Sequence, residues 1–190
     1  MISLREPAPE AIARLIASQR AQEFTYSAVG ATASTPPAGY ACDHRRHQLG
    51  AGEATFRRAR QGLERWEQFN LGWTYANPID TPIAVGSTIA VVARALGSWS
   101  VNVSRIVYVI DEPGRFGFAY GTLPEHVESG EERFLIEQTA DGQVWYDILA
   151  FSRPRHILAR LGYPFVRRLQ KRFGRDSVAS MQRFVRAQEA

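Results

Sequence analysis

Apolar positions along this chain change their spacing from helical to alternating and back again. Over residues 9–22, Ile12, Leu15 and Ile16 recur at helical spacing behind Pro7 and Pro9, which predicts a short amphipathic helix docked on a larger body. Over 53–69, Phe56, Ala59, Leu63 and Trp66 recur every three or four residues, with Arg57, Arg58, Arg60 and Glu64 between them. That pattern predicts a second amphipathic helix with a basic solvent face. Between the two, the prolines and glycine of 34–40 read as a loop feeding a strand within 40–49, and Gly50 and Gly52 then punctuate the chain.

The texture then becomes that of strands. Residues 71–75, 88–96, 99–110, 115–123, 131–139 and 144–151 are rich in branched and aromatic side chains. Asp111-Glu112-Pro113-Gly114 and Asp141-Gly142 are turn formers set between such runs, so the sheet is expected to be a largely antiparallel meander. Arg153-Pro154 stops the last strand, and Ile157, Leu158, Leu161, Phe165, Leu169 and Phe173 then form a helical stripe. Gly162 and Pro164 fall inside it and predict a kink or break near Tyr163, giving the long helix two arms. The order predicts an α+β fold, a curved antiparallel sheet of six to seven strands around a long C-terminal helix. With no internal repeat or linker, residues 1–190 are expected to form one domain on which the 1–22 segment docks.

Composition narrows the functional classes. No stretch reaches the roughly 18 apolar residues of a membrane-spanning helix, and no basic segment with an apolar h-region opens the chain, so a cytoplasmic location is expected. Cys42 is the single cysteine, so an internal disulfide is excluded and a structural zinc site is not expected. The net charge of +4 is uneven: from Arg153 to Arg186 ten Arg or Lys face one acid, Asp176. Of these, Arg167, Arg168, Lys171, Arg172 and Arg175 form a basic arm that would suit nucleic acid or an anionic membrane surface, or be simply a solvated helix face.

Several residues invite a chemical role. Phe116, Phe118 and Tyr120 alternate with Gly117, Ala119 and Gly121, so this strand has one bulky face and one bare face. A bare face admits a packed helix or a ligand close to the backbone. Asp147 is the one charge in a strand apolar on both faces, which also carries Trp145, and is expected to pair with an arginine or to be a site residue. Asn102 and Arg105 lie beside Trp99 in an apolar strand on opposite faces, and Glu132 or Asp147 could partner the arginine. Glu125, His126, Glu128, Glu131, Glu132 and Arg133 surround an expected turn, as a solvated loop or as proton-transfer groups. Asp43, His44 and His47 form a second group, with Asp43 and His47 on one strand face and His44 on the other, too few for a metal site without further ligands. Hydrolase-elbow, phosphate-loop, dinucleotide and zinc-protease motifs are absent from the sequence, and no cofactor is expected.

Five strings taken together carry a resemblance: Tyr-Ala-Cys-Asp-His-Arg-Arg from Tyr40, Arg-Ile-Val-Tyr-Val from Arg105, Gly-Phe-Ala-Tyr-Gly-Thr-Leu-Pro-Glu-His from Gly117, Gly-Glu-Glu-Arg-Phe from Gly130 and Val-Trp-Tyr-Asp-Ile from Val144. Over about 24–184 the chain resembles the domain-of-unknown-function family numbered nineteen-ninety, which supplies no catalytic residue. The element order is also similar to the helix-grip fold of START-like and Bet v 1-like ligand carriers. That likeness implies an apolar cavity between sheet and C-terminal helix, here with Gly117, Ala119 and Gly121 facing Leu158, Leu161 and Phe165.

Three functions follow. One is a binding module for an apolar or amphipathic small molecule, with Trp99, Asn102, Arg105, Tyr120, His126, Glu132, Trp145 and Asp147 as candidate ligand-binding residues. Another is an enzyme in the same cavity, with Asp147, His126 or Glu132 as acid or base and Tyr120 or Tyr146 as donor. The third is a nucleic-acid or membrane-surface adaptor acting through the basic arm.

Overall fold

Short connections join the later strands in succession, so each of these pairs with its predecessor and the sheet grows as a meander. The computed structural model describes residues 1–155 and 162–188. Strand β1 (Ile2–Ser3) and helix α1 (Pro9–Gln19) precede β2 (Ala41–Ala51) and helix α2 (Glu53–Glu64). Six strands follow: β3 (Thr74–Asn77), β4 (Thr88–Ala95), β5 (Ser98–Glu112), β6 (Arg115–Thr122), β7 (Glu128–Gln138) and β8 (Gln143–Pro154). Helix α3 (Tyr163–Ala187) is the last element. The order across the sheet is β2-β8-β7-β6-β5-β4-β3, antiparallel throughout, with β1 added to β5. Because β2 and β3 are consecutive yet lie at opposite edges, α2 and the turn after it carry the chain across the whole sheet. Bulges between Gln48 and Gly50 and between Ile106 and Tyr108 strengthen its twist, and the sheet curls around α3.

The concave face holds the main core. Phe116, Phe118 and Phe134 meet Leu63 of α2 and Met181 and Val185 of α3. The helix predicted over 53–69 ends early, at Glu64. Trp66 takes a left-handed φ of 58°, and Glu67–Phe69 form one turn of 3-10 helix. The turn drives two large rings inward. The Trp66 indole donates to the Thr81 carbonyl at 2.9 Å and packs edge-on to Phe118, while Phe69 stacks between Tyr120 and Phe173. Helix α3 begins at Tyr163 with Pro164 in its first turn, where a missing N–H is harmless. Gly162 and Pro164 thus stand at the start of this helix, where the sequence predicts a kink or break. The expected first arm with Ile157, Leu158 and Leu161 lies outside the described residues.

The convex face is also covered. Helix α1 lays Ile12 and Ile16 on Val92, Val101 and Val103 of β4 and β5. The bare face of β6 points to this side, not toward α3 as the fold likeness implied. A Cβ at Gly121 would lie 2.1 Å from the Tyr26 hydroxyl and 2.9 Å from Phe24, and one at Gly117 would meet the backbone of Phe134. Gly121 is bare because the 24–33 segment crosses it, and Gly117 because the β7 backbone lies against it.

That segment is anchored by one carboxylate. Glu131 Oε2 accepts from the Tyr26 hydroxyl and the Gly30 N–H, each at 2.7 Å. Its Oε1 accepts from the Thr32 N–H at 2.9 Å and the Thr32 hydroxyl at 2.5 Å. Replacing Glu131 by Ala is therefore expected to lower unfolding free energy by about 3 kcal/mol or more, since a buried cluster of donors loses its acceptor. Gly121→Ala should cost about 1–3 kcal/mol through overpacking against Tyr26. Urea unfolding measures both, and a midpoint unchanged in either variant would contradict the strap geometry.

Candidate functional site

The inward side chains of the strands run from large to small across the sheet. Along β8 they pass from Tyr146 and Ile148 to Ala150 and Ser152; along β4 from Ile89 to Ala93; along β5 from Ile106 to Asn102 and Ser100. On β7 the sequence is Ile136, Phe134, Glu132 and Gly130. The large ends are filled core. At the small ends a cavity of about 260 Å³ remains between the sheet and the first turns of α3, walled by Phe69, Trp73, Tyr120, Phe173 and Leu169.

Polar groups gather at one side of this space. Glu132 accepts from the Tyr120 hydroxyl at 2.8 Å. Burial is the main cause that lifts its carboxyl from an ordinary 4.5 to about 7; the Tyr120 bond opposes this, and the negative charges of Glu128 and Asp43 add to it. Glu128 is raised as well, again chiefly by burial, although the Gln170 amide donates to both its oxygens at 2.8 and 2.6 Å. The same amide reaches the Ser152 hydroxyl at 3.0 Å, tying α3 to β7 and β8. Asp43 forms a bidentate pair with Arg167, with Nη2 to Oδ1 at 2.7 Å. His126 accepts the Glu128 backbone N–H at Nδ1, 3.0 Å away, so the neutral ring carries its proton on Nε2. Burial lowers its pKa to about 4.

Asn102, Tyr120, His126 and Glu132 are thus brought together around the cavity. Trp99, Arg105, Trp145 and Asp147 are not. Trp99 packs at the β1–β5 edge under Arg94. Arg105 does not partner Glu132 or Asp147. Its Nη2 donates to the carbonyls of Gln19, Arg20 and Gln22 at 3.1, 2.7 and 2.8 Å, closing the C-terminal end of α1. Trp145 lies on the convex face beneath Arg46. Asp147, also convex, sits 2.8 Å from Arg133 Nη2 and 2.8 Å from His44 Nε2. It is paired with arginine, as one of the two readings had it.

The 125–133 cluster read as a loop or a set of proton-transfer groups is mostly strand. Beta structure begins at Glu128, and Glu128 and Glu131 are buried. Asp43 and His44 diverge, one toward the cavity and one toward Asp147, and no group of three His, Cys, Asp or Glu able to hold a metal occurs among the described residues. On α3, Arg168, Lys171 and Arg175 are exposed, whereas Arg172 covers Trp73 and Arg167 is committed to Asp43. Asp43, Glu128 and Gln170 were not picked out from sequence as ligand contacts. The signal available was the fall in side-chain size along β8 and β4, which marks where the interior cannot be filled.

Comparison with known proteins agrees with this architecture. A family model described as Domain of unknown function (DUF1990) matches residues 25–180. A UPF0548 protein of Dictyostelium discoideum is 35% identical, with 97% of this chain and 96% of that protein covered. A UPF0548 protein of Deinococcus radiodurans is also 35% identical, with 92% and 94% covered. Among solved structures, TTHA0849 from Thermus thermophilus superposes with a TM-score of 0.55 at 16% identity, covering 79% of this chain and 100% of that one. Ara h 8.0201 gives 0.53 at 12% identity, covering 78% and 99%. StfQ, a di-domain ARO/CYC from the steffimycin biosynthetic pathway, gives 0.54 at 11% identity, covering 79% of this chain and 52% of that one. At such identities the likeness is one of fold. With a curled antiparallel sheet closed on its C-terminal helix and a family match over most of its length, the chain has the helix-grip fold of Bet v 1-like proteins and belongs to the DUF1990 family.

Proposed function

We propose that this protein binds an apolar or amphipathic small molecule in the cavity between the sheet and α3. The observation that carries this reading is that the space stays open although aromatic residues crowd its border: Phe69, Tyr120 and Phe173 stack on one another and still leave about 260 Å³. An empty apolar volume forgoes dispersion contacts on its whole lining, and a ligand restores them. Hydrophobic walls with a few convergent polar groups are the usual anatomy of a small-molecule site.

A second reading uses the same space for catalysis. Glu132, with its carboxyl near 7 and Tyr120 as donor, is placed to give or take a proton from a bound molecule. Asp147 is outside the cavity and saturated by Arg133 and His44, so it has no part in that reading. A co-purified compound that is chemically altered on incubation, and left unaltered but still bound by Glu132→Gln, would favour it.

Binding is tested with an uncharged fluorescent probe such as N-phenylnaphthylamine. One-to-one saturable enhancement is expected, nearly insensitive to salt because no ion pair forms. Ala150→Phe places a ring in the void and should weaken binding by about tenfold or more while changing stability by less than about 1.5 kcal/mol. Unsaturable enhancement, or equal affinity in Ala150→Phe, would sink the reading.

The polar side of the cavity has a consequence for stability. A folded pKa raised to about 7 favours the neutral carboxyl, so the contribution of Glu132 is complete below pH 4.5 and is lost as pH climbs through 7. The depressed pKa of His126 acts oppositely, its contribution being complete above 6.5 and lost as pH falls through 4. Glu132→Gln removes the first slope and leaves the second. The unfolding free energy of Glu132→Gln minus that of the parent should therefore rise by roughly 3 kcal/mol between pH 4.5 and 8. A difference independent of pH would place Glu132 in a wetter setting than described.

A further inference from the structure

Resting on the cavity reading, the unsatisfied polar atoms inside define the chemistry of the occupant. Glu132 uses Oε2 to accept from Tyr120, and among the described residues no donor reaches its Oε1. Asn102, 9% exposed and on the inward face of β5, is oriented by Nδ2 donating to Ser100 Oγ at 3.1 Å and to the Val91 carbonyl at 3.4 Å. Its Oδ1 has no partner among the described residues. The open position on Glu132 is an acceptor, whereas Asn102 Oδ1 is a buried acceptor closed off from the cavity space. A bound carboxylate or phosphate would add to the mismatch, whereas a ligand bearing N–H groups would relieve it.

Charge points the same way. Asp43, Glu128 and Glu132 all line the cavity. Of the cations nearby, Arg167 is consumed by Asp43 in a two-point contact. Arg45 also lines the cavity and packs against Gly174, where a Cβ would come within 2.5 Å of its Nε, so three carboxylates face the two cations Arg45 and Arg167. The charges that act on Glu132 are those of Glu128 and Asp43, both negative. The faces of Phe69, Trp73, Tyr120 and Phe173 form the rest of the wall, and aromatic faces attract a cation as well as an apolar body.

We propose that the cavity selects an amphipathic amine, an apolar body carrying a protonated nitrogen, with the ammonium donating to Glu132 Oε1 among the faces of Phe69, Tyr120 and Phe173. Contact with a cation offsets the burial and negative field that make the Glu132 carboxyl resist ionisation, so ligand and carboxylate stabilise each other's charged form. Glu128, already held by Gln170, supplies field rather than a contact.

Three probes with one tail and different heads, decylamine, decanol and decanoate, separate this from the broader reading. Titrated calorimetrically into the full chain at pH 7.5, decylamine is expected to bind about 10–100-fold more tightly than decanol, the range of a charge-assisted hydrogen bond, and decanoate more weakly still. Glu132→Gln should bring the amine to within about threefold of the alcohol, with a cooperative urea transition of parental slope certifying that the variant is folded. Alcohol or acid binding as tightly as amine overturns the amine assignment and keeps the cavity reading. An amine preference that survives in Glu132→Gln overturns the placement of the ammonium. Failure of all three heads to bind, together with failure of N-phenylnaphthylamine, overturns both.

Discussion

Two adjacent carboxylates, Glu131 and Glu132, leave strand β7 on opposite faces of the sheet and must each be taken out of bulk water. Glu131 is solvated by the protein itself, through the hydroxyls of Tyr26 and Thr32 and the N–H groups of Gly30 and Thr32. An ionised carboxylate surrounded by donors can be buried without a cation, and the segment that provides them is thereby fixed across β6 and β7. Arg133, the next residue, extends the arrangement from the Thr32 carbonyl at 2.9 Å to Asp147 at 2.8 Å. The convex face is thus closed by polar contacts that are nearly complete. Glu132 receives one donor and, among the described residues, no cation, and so remains ready for another partner. One peptide bond separates a structural carboxylate from an available one.

The open space follows from how the sheet grips α3. A curled sheet brings its concave side chains together, and where these are large they interlock with α2 and α3; Tyr146, for example, reaches Ser177 at 2.8 Å. Toward the first turns of α3 the same strands present Ala93, Ser100, Ala150 and Ser152, which cannot span the distance to the helix. Phe69 fills part of that gap because the left-handed Trp66 turns the chain back into the barrel. The helix is then held at a distance by polar struts, Gln170 to Glu128 and Arg167 to Asp43, rather than by apolar contact that would collapse the space.

The elements themselves could be read from sequence because periodicity and turn residues are local properties. Strands β4, β5, β6 and β8 fall within a few residues of their expected bounds. Which face of a strand turns inward is not local. In β6 the alternation of Phe116, Phe118 and Tyr120 with Gly117, Ala119 and Gly121 is equally regular either way round, and both faces are buried, so composition gave no reason to send the glycines outward. The deciding contact, Tyr26 against Gly121, joins residues nearly a hundred positions apart. The start of β7 was hidden for a related reason: Glu128, Glu131, Glu132 and Arg133 look solvated by type, and their withdrawal from water depends on distant partners, the 24–33 segment, Gln170 and Tyr120 as donors and the Thr32 carbonyl and Asp147 as acceptors. Pairing of Asp147 with an arginine could be anticipated from its apolar strand, but choosing Arg133 over Arg105 required knowing that α1 ends beside β5.

The same non-local logic explains why the inner polar groups are left incomplete. A protein evolving for stability alone could replace Glu132 by an apolar residue of similar size and lose only a bond to Tyr120, since buried charge without a cation is a net liability. Asn102 likewise satisfies its amide N–H groups and leaves its carbonyl oxygen bare, although a hydrophobic isostere would remove the deficit. Both residues line the under-filled space beneath the first turns of α3. An open acceptor on Glu132, unfilled volume and an excess of carboxylates each destabilise the empty protein, and all three are relieved by a single event, the entry of an apolar molecule that brings its own hydrogen-bond donors. Their coincidence in one cavity is what separates a site from imperfect packing.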